Sequence, residues 1–118
     1  MSYCLPELEP RLRFPASTKR AFGPGKADLL RNIVATGSIA RSAARMKMSY
    51  NRAWLLVRDM NRLFREPLVM AVRGGNAGGG AQLTLAGKEV LRRYTRMEAA
   101  CRKATRSEWK ILYRKLRF

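Results

Sequence analysis

The sequence predicts a mainly α-helical fold with a small β component, and three observations carry that prediction. Residues 38–64, SIARSAARMKMSYNRAWLLVRDMNRLF, read as two helices joined by a tight turn. Residues 68–73 and 81–85 are short strand-like runs on either side of the glycine-rich GGNAGGG, which predicts a hairpin with a pliant tip. Farther on, Val90, Tyr94, Met97, Cys101 and Ala104 step by 4, 3, 4 and 3, the spacing of a long helix with one apolar seam.

Composition narrows the function. A chain of 118 residues can bury a modest core as one domain without metal or disulfide support. Lys and Arg number 25 against 8 Asp and Glu, and a net charge of +17 points to a polyanionic partner: DNA, RNA or an anionic membrane surface. The longest apolar runs, at 53–57 and 68–72, have five residues each. About 20 are needed to span a bilayer, so no transmembrane segment is expected. The opening MSYCLPELEPRLRF is no secretory signal, and a cytoplasmic protein is expected. Cys4 and Cys101 belong to no CxxC pair or Cys/His cluster, which predicts reduced thiols and no metal site. Histidine is absent and the carboxylates are scattered, so neither an enzyme nor a cofactor is expected.

From the N-terminus, residues 1–10 hold two prolines and no periodicity, and read as a lead-in that is disordered or orders on contact. Arginines alternate with Leu12 and Phe14, and after the turn-forming Pro15 to Thr18 a weaker alternation ends at Phe22; this is a short hairpin or an irregular basic arm. Gly23-Pro24-Gly25 introduces a first helix whose apolar face holds Leu29, Leu30, Ile33 and Val34, and Gly37 closes it in a left-handed conformation. Ser38 caps a second helix with Ile39, Ala43 and Met46 inward, and the small Ala43 and Ala44 permit a close crossing. Lys47-Met48 forms the turn, Ser49 caps the third helix, and Arg65-Glu66-Pro67 ends it.

The third helix carries the functional argument. Successive residues rotate by about 100°, so Ala53, Leu56, Val57, Met60 and Phe64 form a buried face while Asn51, Leu55, Arg58 and Arg62 form the opposite one. That row suits the DNA major groove: Arg bridges guanine O6 and N7, Asn pairs with adenine, and Leu touches a thymine methyl. The competing reading is a merely solvated face, against which Leu55 weighs. Ser49, Tyr50 and Arg52 flank the row, with the first-turn N–H groups free for phosphates, and Trp54 is expected to pack in the core or at its boundary. The hairpin then has the shape of a wing, with Arg73 able to reach phosphates or the minor groove and Asn76 at its tip. GGNAGGG lacks the GxxxxGK[ST] spacing of a nucleotide-binding loop. The prediction is a winged helix-turn-helix with a long C-terminal helix. Its seam of Val90, Tyr94, Met97, Cys101 and Ala104 is either a dimer interface or an internal docking stripe. The chain divides into an N-terminal arm with a short hairpin (1–22), the DNA-binding domain (23–106) and a basic C-terminal tail (107–118) that extends the helix onto a partner or touches DNA.

Phe22 to Met97 resembles the N-terminal DNA-binding domain of ModE-type molybdate-responsive transcription regulators. The likeness is densest in Thr36-Gly37-Ser38-Ile39, Met48-Ser49-Tyr50, Ala53-Trp54, Asp59-Met60-Asn61 and the GG..GGGA.LT pattern from Gly74 to Thr84. The resemblance implies a winged helix-turn-helix that dimerises through its first and last helices on a near-palindromic operator. GSIARSAARM and Ser49 resemble the LysR-type DNA-binding domain more distantly, which implies the same fold. Asn76-Ala77 stand where family wings often have GGKGGGGA, so one basic wing-tip contact is missing. The chain ends before any oxyanion-binding domain, and molybdate binding is not expected in it. The expected function is a homodimeric regulator of double-stranded DNA. The alternatives are a nonspecific architectural coat or a molybdenum-related accessory protein.

Overall fold

A computed structural model describes residues 5–15, 20–74 and 78–117. The order is α1 (Pro24–Thr36), α2 (Ile39–Arg45), α3 (Tyr50–Leu63), β1 (Val69–Gly74), β2 (Gly78–Leu83) and α4 (Leu85–Lys115). The fold is mainly α with a small two-stranded antiparallel sheet and a long C-terminal helix.

Local rules set most boundaries. Pro24 opens α1, where its missing N–H costs nothing, and Gly37 closes it at φ 68° with its N–H donating to Ile33 O. Ser38 Oγ accepts from Arg41 N at 3.1 Å and caps α2. Ser42 Oγ donates to Ser38 O at 2.7 Å and meets Thr36 Oγ1 at 2.9 Å, binding α2 to the end of α1. Lys47 takes a left-handed φ of 57° in the turn, and Ser49 Oγ accepts from Arg52 N to cap α3.

The core lies where α1, α3, the sheet and the first turns of α4 meet. Phe22 is its centre, stacked on Phe14 at 5.4 Å and edge-on to Phe64 at 5.8 Å and Tyr94 at 5.2 Å. Leu29, Leu30, Ile33, Ala53, Met60 and Leu68 complete it. Two helix positions depart from expectation. Val34 is 63% exposed because it sits near the end of α1, where no described element covers it. Ala44 is exposed, and Ala43 alone, 2% exposed, makes the close crossing.

Asn61 ties the sheet to α3: its Oδ1 accepts from Leu68 N and Val69 N, and its Nδ2 donates to Val69 O. Val69 pairs with Leu83 and the ladder continues to Gly74 and Gly78. The second strand therefore begins earlier than its side chains suggest, since glycine main chain pairs without them. It ends at Leu83 because Thr84 caps α4, accepting from Gly87 N and donating to Pro67 O. Gly37 O accepts from Ala81 N, which fastens the end of α1 to β2.

Toward the N-terminus, the expected hairpin reduces to one bridged pair among the described residues, Phe14 with Phe22. Buried Lys26 holds it, with Nζ donating to Ala21 O at 2.7 Å and Arg20 O at 3.1 Å. The described residues of the arm lie along α4 and offer carbonyls to three side chains: Leu12 O to Tyr94 OH, Leu8 O to Arg102 Nε and Pro6 O to Trp109 Nε1. The helix continues through the tail segment to Lys115, and at 31 residues it is about 46 Å long.

The seam on α4 is divided. Val90 and Tyr94 pack into this chain's own core, and Tyr94 is 1% exposed. Tyr94 is thus a core residue, contrary to its expected place in a dimer interface, because the arm and the aromatic cluster already cover it. Met97 is 47% exposed, Cys101 is half-buried and Ala104 is exposed. Beneath the arm, buried Glu98 accepts from Arg31 Nη2 at 2.7 Å and joins α4 to α1.

Burial first, and then the nearby Glu98 carboxylate, raise the Tyr94 pKa above its ordinary value of 10.0. A raised folded-state pKa contributes stability that is whole below the unfolded value and is lost as pH rises through the folded one. Burial lowers the pKa of Lys26, which Asp59 partly offsets, so that group acts with the opposite sign below 10.5. Tyr94→Phe is expected to cost about 1 kcal/mol at neutral pH. The cost should shrink above pH 10, as measured by urea unfolding of both proteins across the alkaline range.

Candidate nucleic-acid interface

The outward side of α3 is defined by what its inward side buries. Ala53, Val57 and Met60 enter the core, and Asn51, Leu55, Arg58 and Arg62 occupy the opposite quadrant. Asn51 and Arg62 are exposed, whereas Leu55 and Arg58 are half-buried. Arg58 does not stand free as the sequence suggests. Its Nη2 lies 3.4 Å from Asp59 Oδ1 and its Nε is buried without a partner. The pair is long, and the Arg58 side chain stays 35% exposed, so part of its guanidinium remains open to a ligand.

The flanking residues divide between two sides: Tyr50 faces the hairpin, and Arg52 lies on the other side of α3, near Leu56 and Lys26. Ser49 has its hydroxyl engaged as a cap, while Tyr50, Arg52 and Arg73 are exposed. Arg41 and Arg45 on α2 and Lys47 in the turn are exposed as well. Between Asp28 and Asp59 the sequence has no acidic residue, so every charged side chain of α2, the turn and the first turns of α3 is basic. Asn76 lies outside the described residues.

Between α3 and the hairpin runs a groove of about 530 Å³, lined among others by Ser38, Tyr50, Trp54, Asn61, Met70 and Gly80. Trp54 is 44% exposed here. It is a boundary residue whose ring faces the groove. Sequence reasoning missed the groove because its two walls are distant in sequence and joined by Asn61, whose amide pattern carries no periodic signal. It also missed Lys26, whose role depends on main-chain carbonyls. Among the described residues, no group of three or more Cys, Asp and Glu side chains could hold a metal ion, and no helix is long and apolar enough to cross a membrane.

No protein-family model matches the chain. It is 41% identical over 95 residues to the molybdenum-pterin-binding protein MopB of Rhodobacter capsulatus, which is 80% of this chain and 35% of that protein. It is 38% identical over 88 residues to the molybdenum transport protein ModE of Azotobacter vinelandii, 75% of this chain and 33% of that one. With the DNA-binding transcriptional dual regulator ModE of Escherichia coli (strain K12) it shares 38% identity over 71 residues, 60% of this chain and 27% of that protein. The expectation against molybdate finds no support in these names, since MopB and MopA are called molybdenum-pterin-binding proteins. The homologues of this chain are ModE and Mop proteins, and the chain spans about a third of the length of the curated relatives it matches.

Proposed function

We propose that this chain is a sequence-specific DNA-binding transcription regulator of the ModE family and performs no catalysis. In this reading α2, the turn at Lys47 and α3 act as a helix-turn-helix and β1–β2 as its wing. The observation that carries the reading is the outward row of α3, Asn51, Leu55, Arg58 and Arg62, on a stretch whose charged residues from Arg31 to Arg58 are all basic. Relatives named as transcriptional regulators support it.

The protein works in the cytoplasm as a homodimer. Met97, Ala104 and Ile111 recur at seven-residue intervals on α4, and Leu112 lies beside them; the three large side chains among these are about half exposed. Pairing two such helices would present two α3 helices to successive major grooves, with half-sites roughly 34 Å apart. Lysines and arginines around the site supply a salt-sensitive, sequence-independent term. The Mop names favour a second reading, a molybdenum-related accessory protein, which predicts no protected DNA site.

Arg58→Ala tests the first reading. It is expected to weaken a preferred duplex by about 1 to 3 kcal/mol while leaving nonspecific binding nearly unchanged. Fluorescence anisotropy on matched and scrambled duplexes makes the measurement. An equal loss on all sequences would show that Arg58 reads no base.

A further inference from the structure

We propose that the groove between α3 and the hairpin cradles the sugar–phosphate strand bordering the major groove, with Trp54 and Tyr50 as its hydrogen-bond donors. The inference deepens the DNA-binding reading and depends on it. Tyr50 and Trp54 are one helical turn apart on the groove side of α3, 56% and 44% exposed. The Tyr50 hydroxyl and the Trp54 indole N–H have no partner among the described residues. By contrast, the indole N–H of Trp109 is bonded to Pro6 O. A large amphipathic ring held at a surface with its donor free suits a partner that is apolar on one side and an acceptor on the other. Deoxyribose and its phosphate have that pairing.

Charge and shape agree. No acidic residue lines the groove, and Arg41 and Arg73 are exposed on the elements that bound it. The far wall is Ala71, Gly80 and Ala81, small enough to let a backbone approach, with Met70 exposed at its edge. The groove is also continuous with the reading row: Trp54 is four residues before Arg58 on the same side of the helix. A strand seated there fixes the depth and angle at which α3 enters the major groove and reads no sequence itself.

The test uses the full chain carrying Trp109→Phe, which leaves Trp54 as its only tryptophan. Titration with a short duplex of arbitrary sequence is expected to change Trp54 emission in step with binding, and added salt should reverse the change. Separately, Trp54→Phe and Tyr50→Phe keep aromatic rings and remove the donors. Each is expected to lower affinity by roughly three- to tenfold on every duplex. The slope of log affinity against log salt should not change, because a neutral donor releases no counterion. A duplex that binds while Trp54 emission stays fixed and both variants match the parent overturns the groove assignment and leaves DNA binding standing. A loss confined to one sequence overturns it too, since Trp54 would then read bases. Absence of binding to any duplex at low salt overturns the DNA-binding reading, and the groove assignment with it.

Discussion

Phe22→Ala is expected to cost about 3 to 5 kcal/mol of folding stability. Phe22 is fully buried and touches the rings of Phe14, Phe64 and Tyr94, so its removal leaves a cavity between α3, α4 and the bridged N-terminal pair. Those neighbours cannot collapse into the space. Phe14 is held to residue 22 by two main-chain hydrogen bonds, and Tyr94 is held by its bond to Leu12 O. A domain of this kind has only about 5 to 15 kcal/mol in total, so the variant is left marginal. Denaturant unfolding should show a lower midpoint with an unchanged slope. A midpoint within experimental scatter of the parent would mean that the aromatic cluster is not the core's centre.

Gly87→Ala is the second large effect, and its sign is informative. Alanine is the better helix former by about 1 kcal/mol, so in open space the change would stabilise α4. Here a β-carbon would overlap the carbonyl oxygen of Leu68 and stand 3.2 Å from Leu83 Cγ. The carbonyl has little freedom to retreat. It accepts from Thr84 N at 2.9 Å, and the Leu68 N–H is bonded to Asn61 Oδ1 at 2.8 Å. Thermal unfolding should therefore show a net loss of about 2 to 3 kcal/mol. A gain would mean that α4 packs less closely on the start of β1 than its geometry indicates.

The parts of this fold that local chemistry decides are legible in the sequence. Ser38, Ser49 and Thr84 cap the helices they precede, and Gly37 takes the left-handed conformation that ends α1. Ala53, Val57 and Met60 go inward because a helix places them on one side and they are apolar. Features that depend on a neighbour are less legible. Val34 and Trp54 are apolar and correctly assigned to helices, yet their exposure is set by where other elements stop. Arg58 has the right rotation for a free basic side chain, but Asp59 captures part of it.

Spacing alone also could not apportion the stripe on α4. The interval of 4, 3, 4 and 3 places the residues along one helix, and it is silent on whether a second copy or the same chain covers each of them. The same chain covers Tyr94, through contacts in which the arm contributes main-chain carbonyls. Main-chain acceptors are common to every residue, so neither the arm's path along α4 nor the grip of Lys26 on Ala21 leaves a trace in side-chain pattern. The glycines of β2 are a parallel case, because a ladder built from main chain has no alternation to detect.

Selective DNA binding is the central claim, and selection of genomic fragments by the full chain at near-physiological salt tests it most directly. The bound fragments should share a near-palindromic motif whose half-sites are centred about one helical turn, roughly 34 Å, apart. Enrichment of fragments with no common motif, or retention of none, would contradict the claim.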